Sequence, residues 1–557
     1  MTSTRSLFAV LLLLLVAACS QKPESQTGRP NILLIVADDL GYTDVGPYGG
    51  NIQTPVLDGL AREGQLFSNF HVLPTCSPTR SALLTGNDNH VAGLGIMEEL
   101  NYPALDRLQL PGYSGHLSNQ VATLPELLRE NGYHTYMVGK WHLGEGPGMI
   151  PNDRGFEESF ILGTGGGSHW NDKRALAPPQ HMTYYRNDRE VELPDDFYST
   201  RNYTDSLLGF LRSHADDNKP FFAFLSYTAV HDPLHAPQEY IDKYKGAFDM
   251  GWDSLRVMRT RNLQALGLVP KDAKLYTSPA FPRWTSLNAE QKAEFARDME
   301  VYAAMLDYMD ENIGRVIRYL RETGAYDNTL IIFMSDNGAN GAVATSYPGN
   351  ADGRYLGEFN NAHENRGLKG SYIEMGPGWA QAASGPYRFF KTFTTEGGIR
   401  APLILKMPGV NSGGAWNKDF VHVTDLMPTV LEMTGTAYPS AFKGNTLHPL
   451  IGSSLLPMLT GTSVEQAAKG MGYELFEMKA YIRGNWKILR LPVPLASGDW
   501  QLYDLSKDPG ETTDLSAEFP EIRQELISLW ENYAQANTLH DHRGHYDTVY
   551  LKAYGVK

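Results

Sequence analysis

Cysteine is nearly absent from this chain: two residues, Cys19 and Cys76, in 557. That excludes a disulfide-built scaffold and leaves any cysteine that remains open to chemistry. Runs of Lys and Arg are missing too. The formal net charge is -15, so there is no general field for a polyanion, and nucleic acid is excluded as the expected partner. No apolar run is long enough to span a bilayer, no low-complexity tract interrupts the chain, and no internal repeat is visible. What is present is ordinary: 42% hydrophobic, 20% charged and 11% aromatic residues, the makeup of a globular protein with a sizeable core and more than one folding unit.

The N-terminus reads as a targeting segment. Arg5 precedes the apolar run Leu7 to Ala18, and Val16-Ala17-Ala18 leads directly to Cys19, followed by a polar stretch to Arg29. Twelve apolar residues are too few for a spanning helix. Small residues before a Cys resemble a bacterial lipoprotein signal, in which Cys19 would be lipidated and become the mature first residue. The expectation is a signal at 1–18, a tether at 19–30 and an exported, periplasmic protein anchored through Cys19, with Ser20 pointing to the outer membrane. A plain secretory signal is the alternative. Either way, Cys76 stands alone among polar neighbours, Thr75, Ser77, Thr79 and Arg80.

From Asn31 the run Asn31 to Val36 reads as a buried parallel strand that ends on Asp38-Asp39. Similar runs recur at 133–138, 221–227, 330–334 and 402–407. Helical patterns at 123–130, 203–214 and 287–323, the last expected in pieces, lie between them. The alternation predicts an α/β fold, a large mixed, mostly parallel sheet sandwiched by helices, with ligands at the C-terminal strand ends. From about residue 461 closely spaced strands (473–477, 480–489, 500–505) and a helix over 520–534 predict a smaller C-terminal α+β domain with an antiparallel sheet, after a main domain at 31–460.

The most specific motif is Cys76-Ser77-Pro78-Thr79-Arg80, continued by Leu84-Thr85-Gly86. With Ser77 as N-cap, Pro78 at the first helical position and Gly86 closing, it predicts a helix whose N-terminal amides favour an anion beside Cys76. The motif resembles the signature of the type I sulfatases, of the alkaline phosphatase superfamily, with Thr79 where Ser is commoner. The resemblance runs from about Asn31 to Gly409. It implies that a formylglycine-generating enzyme converts Cys76 to formylglycine, whose hydrate is the nucleophile. It implies one bound Ca2+ held by Asp38, Asp39, Asp336 and Asn337 together with the modified Cys76. Three carboxylates and an amide are hard oxygen donors, which suit Ca2+ or Mg2+ better than zinc.

Other segments fit the same resemblance. Gly139-Lys140-Trp141-His142 follows a strand, and in extended backbone Lys140 and His142 face one side. His231-Asp232-Pro233 assigns His231 to the leaving group. His235 stays a loop residue, because Pro233 argues against a helical zinc pair. Lys391, five before Glu396-Gly397-Gly398, is assigned to sulfate, with Lys369 as its competitor. Arg80 and His142 would orient and activate the nucleophile. The glycines at 163–167 lack a following Gly-Lys-Ser/Thr and read as a flexible loop, and the stretch from Asn337 to Lys391 reads as a lid. The activity implied is hydrolysis of small-molecule or glycan sulfate esters, aryl sulfates foremost. A phosphonate monoester or phosphodiester hydrolase on the same scaffold is the runner-up, and a non-catalytic lipoprotein that binds sulfated glycans the reading from another class.

Overall fold

The computed structural model describes residues 28–100, 109–278, 281–347, 349–461 and 469–540. The signal, Cys19 and most of the expected tether lie outside the described residues. Among those described, no helix is long and apolar enough to cross a membrane.

A ten-stranded sheet organises the chain. Its centre consists of β1 (Asn31–Ala37), β3 (His134–Lys140), β4 (Glu158–Leu162), β7 (Phe221–Ser226) and β8 (Thr329–Ser335), all parallel. Around them lie β2 (Gln65–Phe67), β5 (Tyr184–Arg186), β6 (Arg189–Glu190), β9 (Leu403–Lys406) and β10 (Ala415–Asn417), giving the order β10-β2-β9-β8-β1-β7-β3-β4-β5-β6. Nearly every residue of the central strands is buried, so both sheet faces are covered and the strands read as continuous apolar runs rather than alternating ones. The mixed sheet and its helices match the expected fold class.

Three expectations are corrected. The run at 402–407 does form a strand, but β9 is antiparallel to β8; hydrophobicity marks a buried strand without giving its direction. The pattern at 287–323 is one helix, Ala289–Glu322, not several. It opens with a capping box between Asn288 and Gln291 and has no internal proline, and Gly314 inside it sits close against Val56. The run at 480–489 is two strands that turn at Gly484, which adopts φ +59°.

Those two belong to a separate four-stranded antiparallel sheet, β11 (Gly470–Leu475), β12 (Met478–Arg483), β13 (Trp486–Arg490) and β14 (Gln501–Asp504). The period-2 alternation splits its two faces. Leu489 and Tyr503 join the main core, while Ile488 and Leu502 form a second core with Leu526 and Trp530 of the helix Pro520–Ala536. Buried charge fastens this sheet to the main body: Lys487 of β13 reaches Glu396 at 2.9 Å and Glu511 at 2.7 Å, and His90 lies between Asp88 and Glu474 of β11.

Candidate active site

Four adjacent parallel strands deliver four functional segments to one edge of the sheet. β1 ends at Asp38-Asp39, β8 at Asp336-Asn337, β7 runs on to His231, and β3 ends at Lys140 just before His142. This is the crevice beyond the carboxyl ends of the strands in an open α/β sheet. Asp39 takes φ +62°, the conformation that turns the chain off β1 and lets its backbone N–H donate to Asp336 Oδ1 at 3.2 Å.

Cys76 arrives from outside the sheet, at the first position of the helix Cys76–Thr85. The N-cap is Thr75, not Ser77, and Pro78 lies two residues further in than expected; Gly86 does close the helix in the left-handed conformation. The reason is the Thr79 hydroxyl, which accepts from Leu73 N at 3.0 Å and donates to Leu73 O at 3.1 Å, pulling the helix start back toward Thr75. The consequence is functional: the Cys76 side chain stands at the positive end of the helix.

All ten expected site residues, Asp38, Asp39, Cys76, Arg80, Lys140, His142, His231, Asp336, Asn337 and Lys391, are buried. Arg80 donates from Nε at 2.9 Å and Nη2 at 2.7 Å to Asp336 Oδ2, and from Nη1 to Lys140 O at 3.1 Å. Lys140 Nζ lies 2.7 Å from Asp38 Oδ2, and Lys391 Nζ 2.8 Å from Asp39. His231 Nε2 is 3.3 Å from Asp39 Oδ2 and 3.3 Å from Lys391 Nζ. Lys369, the competitor, is exposed and bonds Asn171 instead. His235 is a loop residue as expected, buried and bonded to Ser371 O at 2.9 Å.

Burial penalises every charge here, and the signs decide which groups keep theirs. Burial raises the Asp38 and Asp39 carboxyls, but Lys140 and Lys391 outweigh it and hold both below the ordinary value. Asp336 goes up, through burial and the like charge of Asp38. Burial also raises the Cys76 thiol, yet Lys140, Lys391 and His142 bring it down to about 6. The pocket stabilises negative charge at position 76.

A hard cation fits the donor set. Oxygens of Asp38 and Asp336 and the Cys76 sulfur all lie within 4.8 Å of one another, as do donor atoms of Asp38, Asp39 and His231. Asn337 donates through Nδ2 to Asp39 Oδ1 at 2.7 Å, while its Oδ1 is buried with no hydrogen-bond partner among the described residues. A buried amide oxygen left bare beside three carboxylates is an unused ligand.

Lys140 and His142 both act on Cys76, but not by facing one side of an extended strand. His142 adopts φ +56°, so a turn swings it round. The glycine run is corrected as well. Gly165, Gly166 and Gly167 are buried, and a Cβ on Gly165 would meet His142 Cε1 at 2.8 Å while one on Gly166 would meet His231 Cε1 at 3.2 Å. These glycines are packed between the two histidines rather than free in solvent. A run of glycines directly after a strand was the available signal. Glu99 went unnoticed in the sequence: it bonds His142 Nε2 at 3.0 Å. The cleft over Cys76 is lined by Met97, Leu176, Ala177, Ala342 and Tyr347. The expected lid reaches it at its two ends, through Asn340, Ala342 and Tyr347 and through Lys391.

The arrangement matches known proteins along nearly its whole length. The sulfatase family profile matches residues 30–436, and a profile described as N-sulphoglucosamine sulphohydrolase, C-terminal, matches 385–536. An uncharacterized sulfatase of Schizosaccharomyces pombe is 41% identical over 92% of this chain and 94% of its own length. An arylsulfatase of Klebsiella aerogenes is 38% identical over 77% of this chain and 92% of its own. Among solved structures, Ps i-CgsB in complex with k-i-k-neocarrahexaose superposes with a TM-score of 0.65 at 24% identity, covering 92% of this chain and 94% of that one. The chain belongs to the type I sulfatases of the alkaline phosphatase superfamily, and is a sulfuric ester hydrolase that cleaves sulfate esters.

Proposed function

We propose that the substrate is a sulfate monoester of a compact, chiefly aromatic alcohol, cleaved at a nucleophile derived from Cys76. The observation that carries this reading is the position of Cys76: at a helix N-terminus, with Lys140, Lys391 and His142 lowering its thiol to about 6 and the carboxylates of Asp38 and Asp336 within ligand distance. Asp38, Asp39, Asp336 and Asn337 would hold one Ca2+ together with the group at position 76, and that ion would polarise sulfate oxygens and stabilise an anionic nucleophile. Converted to formylglycine by a formylglycine-generating enzyme, position 76 would supply two hydroxyls on one carbon, one to attack sulfur and one to expel sulfate afterwards.

The chain's own residues do the rest. The three carboxylates and the three cations Arg80, Lys140 and Lys391 neutralise one another, so a dication leaves the pocket positive and matched to an anionic ester. Lys140 and Lys391 turn their ammonium groups to sulfate oxygens, Asp336 helps take the proton of the attacking hydroxyl, and Arg80 holds Asp336. His231 gives a proton to the ester oxygen as the S–O bond breaks. The cleft wall combines the apolar Met97, Leu176, Ala177 and Ala342 and the ring of Tyr347 with the polar Gln180 and Asn340, and among the described residues that line it there is no Lys or Arg besides Lys391, which favours an aryl alcohol over a polysulfated glycan. The arylsulfatase relative supports the same choice, although a 26% identical relative from Bacteroides thetaiotaomicron is an N-acetylglucosamine-6-O-sulfatase.

The test is a panel of aryl, sugar and alkyl sulfates and phosphate esters assayed on the calcium-loaded protein. Aryl sulfates should have the highest kcat/KM. Faster turnover of sugar sulfates would overturn the alcohol, and faster turnover of phosphonate monoesters or phosphodiesters the sulfate preference. Export to the periplasm and lipid anchoring at Cys19 complete the proposal, on the strength of the N-terminal sequence alone.

A further inference from the structure

We propose that Glu99 is a positioning residue of the reaction, fixing His142 so that Nδ1 faces the group at position 76. The proposal rests on the reading of Cys76 as the source of the nucleophile. His142 is buried, and its Nε2 lies 3.0 Å from Glu99 Oε2. Its other nitrogen, Nδ1, is buried with no hydrogen-bond partner among the described residues, and His142 and Cys76 line the same cleft. With Nε2 engaged by Glu99, Nδ1 is the nitrogen left for the group at position 76.

Two further features hold this pair. His142 keeps φ +56°, an uncommon backbone conformation for a residue with a side chain. A Cβ on Gly165 would stand 2.6 Å from Glu99 Oε1 and 2.8 Å from His142 Cε1, so only glycine leaves room for both. Glu99 also lines the same cleft as Lys391 and His231. The Nε2–H of His142 donates to Glu99, which favours its ionised form and draws its charge away from an anion in the cleft.

A carboxylate that accepts from one imidazole N–H selects the tautomer whose other nitrogen carries the lone pair. Glu99 therefore leaves Nδ1 of His142 ready to take the proton of a hydroxyl at position 76 during sulfate release. The O–H electron pair becomes the new carbonyl bond, the carbon–oxygen bond to sulfate breaks, and its electron pair leaves on sulfate. The proton stays on Nδ1 while Nε2–H remains on Glu99. Water and buffer then remove it. Glu99 acts through His142.

The experiment uses the full, calcium-loaded protein with Glu99→Ala, the near-isosteric Glu99→Gln and His142→Ala beside wild type. Peptide mass establishes the state of residue 76 in each, and thermal melting establishes folding. Rapid quench with excess 4-nitrophenyl sulfate followed by intact mass is the decisive reading. In both Glu99 variants, enzyme carrying one added sulfate should accumulate, with kcat lower by about a hundredfold, KM lower as well and kcat/KM little changed. If His142→Ala accumulates sulfated enzyme and the folded, modified Glu99 variants do not, Glu99 does not position His142 and the proposal falls while the reading of Cys76 stands. If active wild type carries an unmodified thiol at 76, both fall.

Discussion

The Arg80 guanidinium lies along Asp336, with Nε and Nη2 both donating to the single oxygen Oδ2 at 2.9 and 2.7 Å, and with neither side chain exposed. This leaves Asp336 Oδ1 for other work; among the described residues its one hydrogen bond is from Asp39 N at 3.2 Å. The arginine thus compensates the carboxylate without using Oδ1. Asp336→Ala should lose bound metal and turnover together, measured as calcium content and kcat. Arg80→Met, which strands a buried carboxylate, should cost roughly 3–5 kcal/mol of stability in denaturant unfolding. Unchanged metal content and rate in Asp336→Ala would remove the ligand assignment.

Position 76 has a chemical prediction of its own. A formylglycine hydrate has two hydroxyls on one carbon, and serine has one. Cys76→Ser should take up sulfate at most once per chain and then stall, because nothing remains to expel it from the carbon side. Intact mass after substrate, compared with the wild-type peptide mass at residue 76, is the measurement, and sustained multiple turnover by Cys76→Ser would contradict it.

The joint between the small sheet and the main body should respond to alkali. His90 is buried between Asp88 at 2.9 Å and Glu474 at 3.5 Å, and Tyr533 from the last helix bonds the other Asp88 oxygen at 2.6 Å. Burial lowers the imidazole, but the hydrogen bonds and charges of Asp88 and Glu474 outweigh it and raise it from 6.5 to about 9. A raised folded value means that protonation favours the fold. The contribution is fully present below 6.5 and is lost as pH rises through about 9. Melting temperatures of wild type and His90→Gln should therefore differ most near pH 6 and converge by about pH 10. A gap that stays constant across that range would rule out the protonated joint.

Cys19 supplies the test of anchoring. If it carries acyl chains, wild type expressed with its signal partitions into detergent and Cys19→Ala into the aqueous phase, since multiple chains hold a protein stably at a membrane. Equal partitioning of the two refutes the tether.

The sequence by itself determined the chemistry-bearing segments. Asp38-Asp39 and Asp336-Asn337 end apolar runs, Cys76 and Arg80 sit one helical turn apart, and each of these is local information that motif spacing and periodicity carry. While β4 was not read from the sequence, the identity of β1, β3, β7, β8 and β9 was equally local. Their directions and partners were not: β9 runs antiparallel because the connection that precedes it returns along the sheet, and nothing inside Leu403–Lys406 records that. Only the tertiary structure decided which charges meet. Lys140 could be matched with Asp38, and Lys391 with Asp39, only after β1 and β3 had flanked β7 and the chain after Asn337 had come back to the site. Glu99 escaped notice, and the glycines at 163–167 read as a flexible loop, for the same reason, since their partner, His142, is distant in sequence and is brought to them by packing. Pairing of charges depends on distance in space, and chain spacing reports that distance only within a strand, a turn or a helix.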